Sequence, residues 1–215
     1  IDQFVPQAIG LTAMADFPST VLALVVVLLV LRSIDARAWT EAALAGSLAA
    51  YSGFTKTPNL LVVGGVVLAY IVARRWREGI AFLVALAPLA ITLSIYKQRG
   101  LGYLPAFSLD EIRVAGSAFG IELPRNHFVT VDVDHWRTQM DQLREYFWSA
   151  RLAQWAPFAG LVAVARVKPA AAALLGGWLA AFLVVKGMSP RASIEANTFW
   201  RLLMPAWPAY LLLVA

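Results

Sequence analysis

Long apolar runs separated by short polar turns fill most of the chain. Seven of these runs are candidates to cross a bilayer, which takes about 20 residues, and fewer where neighbouring helices or local thinning help. They are 18–31, 39–54, 59–73, 80–96, 155–165, 169–185 and 199–215. The pattern therefore predicts an all-α fold, a polytopic transmembrane helical bundle with about seven spans.

Small residues mark where these helices are expected to pack against one another. Run 39–54 is rich in Ala, Gly and Ser, which is typical of a helix that packs among other helices rather than facing lipid. The pairs Gly64-Gly65 and Gly176-Gly177 lie inside two other runs. Glycines at such positions allow the backbones of neighbouring helices to approach closely.

Segment 98–150 is too long to be a simple connector, which makes it a functional candidate. Its second half places Trp136, Met140, Leu143 and Phe147 at spacings of four, three and four, the stripe of an amphipathic helix. This helix is expected either to lie along the membrane surface or to dock on other helices of the chain. The chain is thus organised as helices in 1–97, a loop in 98–150 and helices in 151–215.

The composition fixes the class of protein as a membrane protein. Hydrophobic residues make up 60% of the 215 residues, charged residues only 14%, and the mean hydropathy is +0.68. With no cysteine and two histidines, disulfides and thiolate or histidine-rich metal centres are not expected. The net charge of +5 does not indicate nucleic acid, because basic residues of a membrane chain collect in loops. The chain ends inside an apolar run, so we expect it to be part of a longer protein.

Lys and Arg in the tight loops predict the orientation. They occur in loops 32–37, 74–77 and 166–168, which share one side if every span crosses once. The positive-inside rule makes that side cytoplasmic. The sequence therefore predicts a multi-pass protein of a bacterial inner membrane, with Lys56 and segment 98–150 facing outward.

The stretch GFTKTPN places the cation Lys56 at the junction of two apolar runs. A lysine at the end of a span either anchors the helix at the interface or meets an anion. Thr55 and Thr57 offer hydroxyls beside it, and Pro58 can begin the next helix, whose free N–H groups favour an anion. A phosphate group would fit there.

The segment AGSLAAYSGFTKTPNLLVVGGVVLAYIVARRWR resembles a passage of the polytopic C-superfamily (GT-C) membrane glycosyltransferases. In that passage a helix of small residues is followed by Leu-Thr-Lys, then by Pro or Gly, and then by an apolar helix that ends in a cluster of basic residues and Trp. In this chain Phe54 stands where the pattern has Leu. ADFPSTVLALVVVLLVLR is similar to an outer-loop acid followed by a span, and FWRLLMPAWPAYLLL to a late basic and proline passage. The resemblance extends to dolichyl-phosphate-mannose protein mannosyltransferase relatives and lipid A aminoarabinose transferases, and covers about a third of the chain.

The resemblance implies an enzyme that moves a sugar from a polyprenyl-phosphate donor to a lipid, glycan or protein acceptor at the outer face, with inversion. It implies that Asp16 is the catalytic acid of an outer loop and that Lys56 and Arg201 bind the lipid phosphate. The family's principal acid is expected upstream of this chain. By residue type alone, Asp16 is equally a polar helix start, and Arg201 an interfacial anchor behind two aromatic residues.

Asp132-Val133-Asp134 has the form of an Asp-x-Asp motif, which binds a divalent metal together with diphosphate. The same two acids stand just before the amphipathic stripe, where a carboxylate caps free N–H groups. Capping is the favoured interpretation, and a divalent metal at Asp132 and Asp134 is the alternative. No cofactor is otherwise implied.

Two other functional classes fit the same residues. In a transporter or flippase of a lipid-linked or small anionic substrate, Lys56 and Arg201 would line a path through the membrane. A structural subunit of a membrane complex would have no polar cavity beneath the outer loop. Membrane lipids are partners in every case.

Overall fold

The computed structural model of the protein describes residues 16–55, 57–101, 113–118, 121–125, 132–146, 151–188 and 206–215. These residues are predominantly helical. The helices are α1 (Asp16–Ala36), α2 (Trp39–Thr55), α3 (Val62–Val72), α4 (Trp76–Leu101), α5 (Val133–Tyr146), α6 (Arg151–Val167), α7 (Pro169–Gly187) and α8 (Trp207–Val214). A 3-10 helix (Thr57–Leu61) leads into α3, and two antiparallel strands, β1 (Arg113–Ala118) and β2 (Ile121–Arg125), lie between α4 and α5.

The predicted apolar runs coincide with helices. Among the described residues, two helices are long and apolar enough to cross a membrane, Pro18–Ala36 and Pro169–Gly187, and Pro58–Val72 is a shorter apolar helix. The helical fold is therefore confirmed, and these two helices fit membrane association by length and composition. The count of seven spans stays a prediction, as does the structure of 199–205, which lies outside the described residues.

The backbones of α2 and α4 lie almost in contact. The buried face of α2 consists of small residues, including Ala42, Ala45, Gly46 and Ala49. A methyl group added at Gly46 would overlap the carbonyl oxygen of Phe82 in α4. Only glycine allows this approach, and the expectation that run 39–54 packs through small residues is confirmed. Helix α2 also packs against α1 and the 3-10 helix.

The glycine pairs bring α3 and α7 together. A Cβ atom on Gly177 would lie 3.0 Å from the Cα atom of Gly65, and one on Gly65 would overlap the carbonyl oxygen of Leu174. Trp178, the next residue of α7, is fully buried at the same crossing. The predicted close packing at these pairs is confirmed.

One hydrophobic core holds the two predicted helical segments together. Its buried members come from α1, α2, α3, α4, α7 and α8. Helix α8 is fixed by a second backbone contact, because a methyl group at Gly160 of α6 would overlap the Leu213 carbonyl oxygen. Segments 1–97 and 151–215 thus contribute to the same core.

The three basic loops lie at one end of the bundle. Lys168 Nζ lies 3.2 Å from Asp35 Oδ2, which joins the α6–α7 loop to the end of α1. The Ser33 and Tyr70 hydroxyls lie 2.8 Å apart and join the last turns of α1 and α3. These contacts place the three loops on one side of the bundle. That this side faces the cytoplasm stays a prediction.

Candidate functional site

The structure describes the surroundings of the predicted site residues rather than the residues themselves. Lys56 and Arg201 lie outside the described residues, and Asp16 is the first residue of α1, with a side chain that is also outside them. As predicted, helical structure resumes around Pro58, within the 3-10 helix that continues into α3. The described elements next to these three residues define the surroundings of the candidate site.

A buried polar cluster lies beside the Lys56 turn. It consists of Ser19, Ser52 and Asn59, whose relative exposures are 0%, 0% and 1%. The Asn59 Nδ2 group donates to Ser52 Oγ at 3.0 Å, and the Ser52 hydroxyl donates to the Ser19 carbonyl oxygen at 3.2 Å. These hydrogen bonds run from the start of the 3-10 helix through the last turn of α2 to the first turn of α1.

This cluster, the polar link (Ser19, Ser52 and Asn59), ties together the segments that carry two candidates. Ser19 follows Asp16 by one helical turn, and Ser52 and Asn59 stand on either side of Lys56. Buried polar groups are costly unless hydrogen-bonded, so the link holds the two segments in a fixed relation. The Asn59 Oδ1 atom is itself buried and has no partner among the described residues.

The start of α8 lies at this same end. Ala206, the residue before α8, is buried in a cluster with Phe182 of α7 and Leu143 of α5, and Leu61 of the 3-10 helix packs against that cluster. Because Leu61 follows Lys56 by five residues and Ala206 follows Arg201 by five, the flanks of both candidate cations lie at one end of the bundle.

Helix α5 covers this end of α7. The Trp136 Nε1 group donates to the Leu183 carbonyl oxygen at 3.2 Å. Gly187 leaves room for the ring of Trp136 and the side chain of Met140. Leu143 is buried with Phe182. The predicted amphipathic helix is confirmed for its described part, and of the two placements left open, its stripe docks on the bundle. Phe147 lies outside the described residues.

Lys186 is a cation at this end that the sequence analysis did not single out. It lies in the last turn of α7, half-buried, beside the glycine that receives Trp136. Among the described residues it has neither an ion pair nor a side-chain hydrogen bond. Its position at the end of a long apolar helix is the one feature of the sequence that could have identified it, but a lysine at such a position is also typical of an interfacial anchor.

Asp132 is a helix cap. Its Oδ1 atom accepts a hydrogen bond from the His135 backbone N–H at 2.9 Å, at the start of α5. Asp134 is exposed, and its backbone carbonyl accepts from the Thr138 hydroxyl. Within the described ranges, no group of three or more His, Cys, Asp or Glu side chains could hold a metal ion. The capping interpretation of Asp132 is confirmed, and the described geometry gives no support to metal binding there.

Comparison with known proteins gives no relative. No family model matches the chain, and no curated protein or solved structure is significantly similar to it. The functional interpretation therefore depends on the residues and on the geometry described above.

Proposed function

We propose that the chain is part of a membrane glycosyltransferase that moves a sugar from a polyprenyl-phosphate donor to an acceptor at the extracytoplasmic face. The donor phosphate is bound by Lys56 and Arg201, and Asp16 acts on the acceptor. The enzyme is of the C-superfamily type that the sequence resembles.

One observation carries the proposal. The elements that flank the three candidates, namely the first turn of α1, the turn between Ser52 and Asn59, and the start of α8, lie at the end of the bundle opposite the basic loops. If the basic loops are cytoplasmic, this end faces outward. The sequence resemblance predicts a single outward site built from these same segments.

The reaction needs one base and a stabilised leaving group. The acceptor hydroxyl oxygen forms a bond to the anomeric carbon while the bond from that carbon to the phosphate oxygen breaks, with inversion. Asp16 takes the proton of the hydroxyl, and the polyprenyl phosphate leaves with the bonding electron pair. Lys56 and Arg201 stabilise the negative charge on that phosphate.

Binding of a polyprenyl phosphate to the purified protein tests the donor part of the proposal. The probe is a short-chain polyprenyl phosphate, compared with the matching polyprenol, which lacks the phosphate. Because a charge-assisted hydrogen bond contributes about 1.5–3 kcal/mol, Lys56→Ala and Arg201→Ala are each expected to weaken phosphate binding at least about tenfold. Lys186→Ala is the matched control, a cation removed from the same end. Equal affinity for phosphate and alcohol, or unchanged affinity in both variants, contradicts the proposal.

Asp16→Asn separates transfer from transport. General base catalysis contributes about 10²–10⁴-fold, so this variant is expected to bind the phosphate normally and to transfer sugar at least about 100-fold more slowly. Turnover is measured in membranes given polyprenyl-phosphate mannose or aminoarabinose. Phosphate binding without transfer by the wild-type protein would favour the transporter or flippase instead.

A further inference from the structure

Two turns at the basic-loop end have nearly the same sequence. The Arg37 turn (36–41) reads Ala-Arg-Ala-Trp-Thr-Glu and the Arg74 turn (73–78) reads Ala-Arg-Arg-Trp-Arg-Glu. The first joins α1 to α2, and the second joins α3 to α4. Each turn therefore closes one helical hairpin, and the two hairpins run in the same direction.

Both turns also have the same backbone. Arg37 and Arg74 are left-handed, with φ values of 55° and 56°. In the Arg74 turn the Arg75 N–H donates to the Tyr70 carbonyl and the Arg74 N–H to the Ile71 carbonyl, and in the Arg37 turn the Ala38 N–H donates to the Ser33 carbonyl. This is the Schellman closure of a helix, in which the left-handed position usually holds glycine. An arginine there is strained in both turns, and glycine at either position would relieve the strain.

The charges of the two turns differ. Residues 32–41 hold two arginines and two acids, and Arg32 pairs with Glu41 at 2.9 Å, while Asp35 pairs with Lys168. Residues 74–78 hold three arginines and one acid, Glu78, which is buried. None of these three arginines forms an ion pair with another described residue. Arg37 is left as the one arginine of its turn without an ion pair to a described residue, so the Arg74 turn, with three such arginines, carries the larger uncompensated positive charge.

Arg75 has a donor in need of an acceptor. Its Nε atom is enclosed by the protein, yet it has no hydrogen-bond partner among the described residues. An enclosed N–H without an acceptor costs about 1–3 kcal/mol in free energy. The Arg75 side chain as a whole is partly exposed, so a phosphate, which has the charge and geometry that a guanidinium prefers, can approach it from outside.

An apolar stripe begins at the same turn. Trp76, Ile80 and Val84 lie on one face of α4 at spacings of four, with relative exposures of 60%, 62% and 65%. The stripe runs from the arginines along the helix. An exposed Trp at the end of a span is typical of the level of lipid headgroups. An anion joined to hydrocarbon chains fits this surface better than a free anion does.

We propose that the Arg74 turn and the Trp76–Val84 face of α4 form a binding site for one anionic phospholipid. The phosphate accepts hydrogen bonds from Arg75 and lies against Arg74 and Arg77, and an acyl chain lies along Trp76, Ile80 and Val84. The site is at the end of the bundle opposite the proposed sugar-transfer site, and it does not depend on that proposal.

The test compares the twin turns. The full chain in mild detergent is titrated with phosphatidylglycerol or phosphatidylcholine, and bound lipid is counted by native mass spectrometry. The wild-type protein is expected to bind phosphatidylglycerol more tightly. A basic residue near an anionic lipid contributes about 1 kcal/mol, so Arg75→Gln and Arg74→Gly are each expected to lower that preference about fivefold.

Arg37→Gly is the matched control. Both glycine variants relieve the same left-handed strain, so both are expected to raise the thermal midpoint, whereas only Arg74→Gly is expected to lose phosphatidylglycerol. An equal loss in Arg37→Gly would show a diffuse cationic surface and overturn the proposal, as would equal binding of the two lipids. Competition by inorganic phosphate or glycerophosphoglycerol at the lipid's own concentration would indicate a free-anion site and also overturn it.

Discussion

Adjacent glycines in α3 allow a direct measurement of the steric constraint between α3 and α7. A Cβ atom on Gly65 would overlap the Leu174 carbonyl oxygen and would lie 2.7 Å from the Trp178 backbone nitrogen and 3.1 Å from the Trp178 Cβ. A Cβ on Gly64 would meet one atom, the Ala181 Cβ, at an ordinary contact distance of 3.6 Å. Gly64 and Gly65 therefore lie in the same helix but face different neighbouring atoms.

The magnitude follows from two terms. Replacing glycine by alanine inside a helix contributes about 1 kcal/mol of stability through helix propensity, and this gain applies to both positions. At Gly65 the atoms in the way are backbone atoms and a Cβ, which no rotamer change can move, so α3 and α7 must separate. Overpacking of this kind costs about 1–3 kcal/mol. Since the propensity term cancels between the variants, Gly65→Ala is expected to be about 1–3 kcal/mol less stable than Gly64→Ala.

The assay is reversible unfolding in mixed micelles of a mild detergent and dodecyl sulphate, followed by far-ultraviolet circular dichroism. Gly64→Ala is expected to be at least as stable as the wild-type protein, and Gly65→Ala is expected to be less stable than Gly64→Ala. If the two variants unfold at the same dodecyl sulphate fraction, the close approach of α3 and α7 is not present in solution and the glycine argument fails.

Two further predictions concern polar side chains. Ser52→Ala removes the central hydroxyl of the polar link and is expected to lower the free energy of unfolding by about 1–3 kcal/mol, measured in the same micelles, because two buried hydrogen bonds are lost and Asn59 Nδ2 keeps only a longer one, at 3.4 Å to the Ser52 carbonyl oxygen. Thr55→Ala, which removes a hydroxyl bonded only within its own helix, is the control, and an equal effect would contradict the link. Asp132→Ala is expected to cost about 1 kcal/mol and to speed amide exchange in α5, while Asp134→Ala is neutral. Stabilisation of the wild-type protein by Mg²⁺ that is lost in both variants would revive the metal interpretation.

The helices could be predicted from the sequence because their signal is local. Apolar runs bounded by charged or proline-containing turns predicted where α1, α2 and α7 lie, and Asp132 was identified as a cap because its partner is three residues away. The glycine pairs were also informative, since a glycine inside an apolar helix has few roles other than close packing.

Long-range choices could not be predicted in the same way. Nothing in the sequence of α2 says that its glycine face packs on α4, which is not its neighbour along the chain. The polar link was missed for the same reason, because Ser52 and Asn59 each have an ordinary local explanation and become a unit only when α1 and α2 meet. The docking of α5 was left open, since an apolar stripe binds a membrane or a helix equally well.

The pairing of α2 with α4 has a consequence for biosynthesis. A ribosome delivers α2 to the membrane before α3 and α4 exist, so the surface around Gly46 must wait for a helix that is translated later. During that interval α1 is the one of α2's bundle contacts that has already been translated. Assembly of the first half of the chain is therefore completed only when α4 emerges, and a chain stopped after α3 would leave that glycine surface open to whichever helix the insertion machinery holds nearby.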